Sequence, residues 1–139
     1  MAEAELFDIP QPPIAKLLGW RLEAHDAPRG WIRIAFDGKR DFLNPAGFIQ
    51  GGIQAAMLDD CMGPAVWIKT GGSLYTASID MTISFLAPAR PGPLFGEASV
   101  LQLGKTIGFL ESRLLNVAGE VLARATATAR LVPAARAVR

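Results

Sequence analysis

The chain has 139 residues, half of them hydrophobic, and a formal charge of +1: enough apolar side chain for one core, and no basic stripe of the kind that neutralises nucleic-acid phosphates. A single cysteine, Cys61, and a single histidine, His25, exclude an internal disulfide and a cysteine-cluster metal site, point to a reducing compartment, the cytoplasm, and imply no metal or cofactor. The acidic start MAEAELFDIPQPP lacks an apolar core and no run of about 18 apolar residues occurs, so neither a signal peptide nor a membrane span is expected.

After the proline-rich PQPP, the segment IAKLLGW sets Ile14, Leu17 and Leu18 at helical spacing and stops at Gly19, which predicts a short amphipathic helix lying across a sheet and closed by a C-cap glycine. WRLEAHD and GWIRIAFD alternate apolar and polar residues around APR and read as a hairpin, with His25 as an ordinary strand residue. NPAGFIQGGIQAAMLDDCM then opens a helix from Gly51 to about Lys69, apolar on nearly every side and therefore enclosed. Pro64 within it is expected to kink or end it, and Cys61 reads as a small buried apolar residue.

LYTASIDMTISFLAPA follows as a strand with Ile79, Met81, Ile83 and Phe85 on one face and Ser78, Asp80, Thr82 and Ser84 on the other. PGPLFGEASVLQLG, KTIGFLESRLLN and EVLARATATARLV continue as strands, joined by turns at PARPGP, GK and NVAGE. In the last, Ala123, Ala125, Ala127 and Ala129 form a row of small side chains that would let a helix come close. Short helix, hairpin, long helix and meander make an α+β domain, with five or six antiparallel strands curled around one helix. One domain over 1–139 is expected, with 1–12 and 133–139 as loose ends.

Two adjacent aspartates in an enclosed helix need a reason, because buried charge is expensive. Asn44, then Gln50-Gly51-Gly52 six residues on, then Asp59 nine residues after Gln50, together with SIDMTISFLAPARPG and LGKTIGFLES, resemble the hotdog-fold acyl-CoA thioesterases of the phenylacetate-degradation type. The resemblance runs from about Gly19 to Val132. It implies the hotdog fold, hydrolysis of a CoA thioester, and a homodimer commonly paired again into a homotetramer. The family usually has His-Gly-Gly where this chain has Gln50, and at the position matching Ser78 a hydroxyl orients the water, although the strand pattern equally sets Ser78 among polar residues that simply face solvent.

The residues support such chemistry. Thioester hydrolysis needs donors for the oxygen that becomes negative and a group that activates water or attacks the carbonyl. The N–H groups of a first helical turn have no internal acceptor and sit at the positive end of the macrodipole, so the Gly51 amide is a ready oxyanion donor, and Gly51 and Gly52 leave room for substrate. Gln50 can add a side-chain N–H, although it cannot carry a proton to the leaving thiol. Asp59 would be general base or nucleophile, with burial expected to raise its pKa, and Asn44 either holds Asp59 or the water or shapes the turn before Pro45.

At about 1.5 Å per residue Asp59 lies roughly 12 Å along the helix from Gly51, too far for both to reach one carbonyl, so the site is expected to combine the glycine turn of one chain with the aspartate of another. Asp60, about 100° away around the helix, is expected to face a polar partner or solvent near the kink. Arg90 and Lys105 are candidates for CoA phosphates, or plain solvated loop charges. Without the resemblance, QGG reads as readily as a tight helix start, with aspartates satisfied at a subunit interface. Within the fold, Gln50 also suits a non-catalytic acyl-CoA binding or regulatory protein; a hotdog hydratase would want an Asp/His pair, and no histidine is placed for one.

Overall fold

The computed structural model describes Phe7 and residues 11–134. Among these residues two α-helices and six strands follow one another as α1 (Pro13–Leu18), β1 (Arg21–Asp26), β2 (Trp31–Gly38), a short 3-10 turn (Arg40–Phe42), α2 (Gly51–Lys69), β3 (Leu74–Phe85), β4 (Gly92–Leu103), β5 (Ile107–Leu115) and β6 (Val121–Pro133). The strands form one antiparallel sheet in the order β1-β2-β4-β5-β6-β3. This is the α+β arrangement that the sequence predicts, with one long helix on one face of a six-stranded sheet. Among the described residues no helix is long and apolar enough to cross a membrane.

The core forms where the inward residues of the strands meet α2. Ile32, Ile34 and Phe36 of β2, Leu94 of β4 and Leu110 and Leu114 of β5 pack with Met57, Leu58, Cys61 and Met62 of the helix, all nearly inaccessible to water. Burying such side chains is worth about 1.5–3 kcal/mol each, which is why a helix apolar all round belongs here. The alanine row of β6 is buried as expected, but the tightest helix–strand approach is elsewhere. A Cβ on Gly96 of β4 would stand 2.2 Å from Cys61 Sγ, so only glycine lets α2 settle at that depth. Gly19 caps α1 at φ 72°, in the left-handed region.

Three expectations are corrected. The meander covers only β4-β5-β6; β3 crosses over and lies beside β6 as the sheet's far edge, so the chain from α2 onward spans the sheet before returning. Of the two outcomes expected of Pro64, an end to the helix is ruled out, because α2 runs on to Lys69. A proline there removes the N–H that would bond the Asp60 carbonyl, and the indole N–H of Trp20 donates to that oxygen instead at 3.0 Å. The third correction is a register shift in β3 between Ser78 and Asp80. Ser78 stands opposite Ala129 and Met81 opposite Ala127, both buried alanines, so the extra residue, Ile79, changes the phase of the strand and turns Ser78 toward the helix side, away from the face that carries Asp80 and Thr82.

The expected loose ends, 1–12 and 133–139, fall mostly outside the described residues. Where the two overlap, the Gln11 amide donates to the Trp20 carbonyl at 2.8 Å, and Pro133 is the last residue of β6.

Candidate active site

The entrance to α2 is fixed by backbone and side-chain bonds rather than by a side-chain cap. The Ile49 N–H donates to the Ala89 carbonyl at 2.8 Å and the Gln50 N–H to the Phe42 carbonyl at 2.9 Å. From inside the helix, Gln54 Nε2 donates to the Ile49 carbonyl at 2.9 Å. Gln50 is the N-cap residue, with φ −58° and ψ 142°, and its side chain makes no cap hydrogen bond. Its amide oxygen lies over Gly52, where an added Cβ would be 3.1 Å away. The Gly51 and Gly52 N–H groups, in the first turn, have no acceptor within the helix.

Gly51 rests on the ring of Phe85 from β3, with 3.2 Å between an added Cβ and Cζ. Beside it opens a cavity of about 390 Å³ walled by Phe48, Ile49, Phe85, Leu86 and Pro88 and reached by two amide side chains, Asn44 and Gln54. Asn44 is committed to its turn: its Oδ1 accepts from the N–H groups of Ala46 at 3.0 Å and Phe48 at 3.1 Å. The guanidinium of Arg90 lies over the ring of Phe48, 5.6 Å from its centroid, and Phe48 belongs to the cavity wall. Lys105 lies in the β4–β5 turn, at the opposite end of the twelve-residue β4 from Arg90, so the single chain does not bring the two cations together.

Two turns along α2, the Ser78 hydroxyl donates to Asp59 Oδ1 at 3.0 Å. The β3 phase change makes this bond possible. Within one chain Asp59 is exposed, so the burial expected there falls instead on Asp60. One carboxylate oxygen of Asp60, Oδ2, is buried without a hydrogen-bond partner, and burial first, then the neighbouring charge of Asp59, pushes its pKa up from 3.8 to about 6. Asp60 is therefore only partly open to solvent, with one oxygen buried where the expectation had a polar partner or water. Cys61 is buried with its thiol on the Met57 carbonyl, and burial raises its pKa well above the usual range, as an inert core residue requires.

Asp60 yields a stability prediction. An acid whose folded pKa is raised binds more protons folded than unfolded between the two values, so stability falls as pH rises from about 4 to about 6 and stays lower above. A rise from 3.8 to about 6 is worth about 3 kcal/mol at full burial, or about 1–2 kcal/mol for a side chain partly open to water. Asp60→Asn is therefore expected to be more stable than the wild type by that amount in urea titrations at pH 8, with the gap closing by pH 4. An equal gap at both pH values would show that the charge is not its source.

Sequence reasoning missed Gln54. It is 5 % exposed, lines the cavity beside Gly51 and carries an Oε1 without a partner. The available signal was a polar residue one turn after the glycines in an otherwise apolar helix. A larger recess of about 560 Å³ lies on the sheet face opposite α2, but there Glu97 is paired with Arg33 and Arg113, each at 2.8 Å, and nothing from the helix start reaches it. Among the described residues no cluster of three or more His, Cys, Asp or Glu side chains could hold a metal ion.

The pattern of the thioesterase superfamily matches residues 46–123, from the loop before the glycine turn into β6. A candidate esterase of Halobacterium salinarum is 34% identical over 101 residues, which are 70% of this chain and 66% of that protein. A candidate thioesterase of Ralstonia eutropha JMP134, related to phenylacetic acid degradation, superposes with a TM-score of 0.84 at 31% identity, covering 91% of this chain and 96% of the other. The PaaI protein of the Escherichia coli phenylacetic acid degradation operon has the same fold at 22% identity, with a TM-score of 0.79 over 88% of this chain and 86% of the other.

Proposed function

Because the chain belongs to the thioesterase superfamily, a family of thioester hydrolases, and has its hotdog fold, we propose that it hydrolyses acyl-CoA or aryl-CoA thioesters to the free acid and CoA at a site shared between two copies of the chain. The carrying observation is the Ser78–Asp59 bond at 3.0 Å: the hydroxyl holds one oxygen of a carboxylate that is exposed, and the other oxygen serves water or a carbonyl. The thioester carbonyl lies against the first turn of α2, where the Gly51 N–H, aided by the side-chain amide of Gln50, receives the developing negative charge. Asp59 of the second copy activates the attacking water, or attacks first and is freed by water, and the C–S bond breaks to release the CoA thiolate.

A shared site fits the exposed edge. Among the described residues β3 has no neighbour on its outer side, and it carries Tyr75, Ile79 and Phe85 at 52%, 56% and 54% exposure, apolar area that pairing would cover. The assembly is a homodimer, paired again into a tetramer. Arg90, over Phe48 of the cavity wall, is the candidate to meet a CoA phosphate from the same chain as Gly51, and Lys105 the candidate from another copy.

Release of free thiol from benzoyl-CoA and from a short aliphatic acyl-CoA, followed with a thiol reagent, tests the reading. Multiple turnovers support it, whereas stoichiometric binding with no thiol released identifies a non-catalytic acyl-CoA protein, which Gln50 in place of histidine would also suit. Gln50→Ala is expected to slow turnover by about 10- to 100-fold, because an assisting oxyanion donor is removed while Gly51 stays. A fully active Gln50→Ala would remove that side chain from the site.

A further inference from the structure

The polar atom that this chemistry leaves unused is Gln54 Oε1. Its residue is 5 % exposed. The Nε2 end is engaged with the Ile49 carbonyl at 2.9 Å, which fixes the amide with oxygen as its free end, and that oxygen is buried without a donor. Of the residues lining the cavity that Gln54 shares with Gly51, Phe48, Phe85 and Pro88 have no donor in their side chains, and the Asn44 amide makes no hydrogen bond to this oxygen. A buried acceptor kept in this condition is costly, and the cost disappears when a ligand supplies the donor.

We propose that Gln54 is a substrate-binding residue whose Oε1 accepts a hydrogen bond from the amide N–H of the cysteamine arm of the thioester. That N–H is a donor that every CoA thioester carries close to the reacting carbonyl, two methylenes beyond the sulfur, whatever the acyl group. Gln54 follows Gly51 by three residues on the same side of α2, about 4.5 Å along the axis. A carbonyl oxygen on the Gly51 amide therefore leaves the start of the cysteamine arm beside the Gln54 side chain. The assignment rests on the thioesterase reading and adds to it: recognition extends to the carrier arm, and a thioester without this N–H is a poor substrate.

Thioesters of N-acetylcysteamine and of 2-acetoxyethanethiol with the same acyl group differ only by NH against O at this position. The wild type is expected to hydrolyse the amide with kcat/KM about 10- to 100-fold above the ester, because a site built around a donor rejects the analogue that lacks it. Gln54→Met, which keeps the length and loses the amide, is expected to treat the two alike within about threefold. A wild type that does not discriminate, or a Gln54→Met whose preference is undiminished, overturns the proposal; should Gln54→Met fail to fold, the wild-type comparison alone decides. A hydroxyacyl group and its deoxy counterpart on N-acetylcysteamine form the second arm. A preference for the hydroxyl that vanishes in Gln54→Met, with none for the amide, assigns Oε1 to the acyl group and also overturns the proposal. Non-hydrolysable thioether versions of the amide and ester, compared by calorimetry, read the same contrast as affinities. A protein that favours the amide thioether yet releases no thiol from any thioester fails as a thioesterase and keeps the Gln54 assignment.

Discussion

Asp59→Asn is expected to lower turnover of a CoA thioester by about 10²- to 10⁴-fold, the range that a positioned base supplies, while leaving the fold and the assembly unchanged. Asparagine retains an oxygen to accept from the Ser78 hydroxyl, which sits 3.0 Å from Oδ1, so the geometry persists and only the base or nucleophile is lost. Asp59 is exposed on the helix, and a near-isosteric change at such a place shifts stability by no more than about 0.5 kcal/mol. Asp60→Asn, one residue on, serves as the control. Its effect belongs to stability above pH 6 rather than to chemistry. Equal losses of activity from the two variants, or a fully active Asp59→Asn, would take the carboxylate role from Asp59.

Co-refolding Gly51→Pro with Asp59→Asn is expected to restore roughly a quarter of wild-type activity from two nearly inactive parents, a consequence of two-fold symmetry. Proline is tolerated at the first helical position, and Gln50, at φ −58° and ψ 142°, already has the extended backbone that a residue before proline adopts. The ring carbons need Phe85 to yield slightly, since even a Cβ there lies 3.2 Å from its Cζ. The variant loses one N–H, the oxyanion donor, worth about 10²- to 10³-fold. Random pairing makes half of the dimers mixed, and each mixed dimer has one site with both defects and one with neither. Native mass spectrometry counts the mixed species. If they form and the mixture stays as inactive as its parents, Gly51 and Asp59 do not share a site across the interface.

The fold was legible because its elements are written in local patterns. Gly51 opens α2 and Lys69 closes it where the apolar run begins and ends, and the hairpin follows from alternation on both sides of APR. What could not be read from the sequence depends on contacts between segments far apart. Pro64 is a local reason to end a helix, and the compensating indole of Trp20 lies 44 residues earlier in the chain. The place of β3 beyond β6 is set by pairing that its own residues do not encode. In the site, the glycine turn and Asp59 were visible as a spacing, whereas Ser78 looked solvent-facing because a strict alternation of two cannot register a bulge. The division of roles between Asp59 and Asp60 was hidden for a related reason: which of two adjacent acids loses its water depends on what packs over each, and periodicity reports only the angle between them.

The irregularity at Ile79 also bears on how such a strand can change over generations. Loss of this one residue would simply close the bulge: Ser78 would still stand opposite Ala129 and Asp80 opposite Thr128, with β6 pairing intact and no chemically important side chain mutated. The hydroxyl would then stand three positions before Thr82 instead of four, yet on the same side of the sheet and still toward Asp59. What would turn it away is the opposite change, in which Ile79 stays and takes the place opposite Ala129, sliding Leu74–Ser78 by one residue along β6. Relatives compared column by column can consequently differ by a gap here and still present the same side chains to each other.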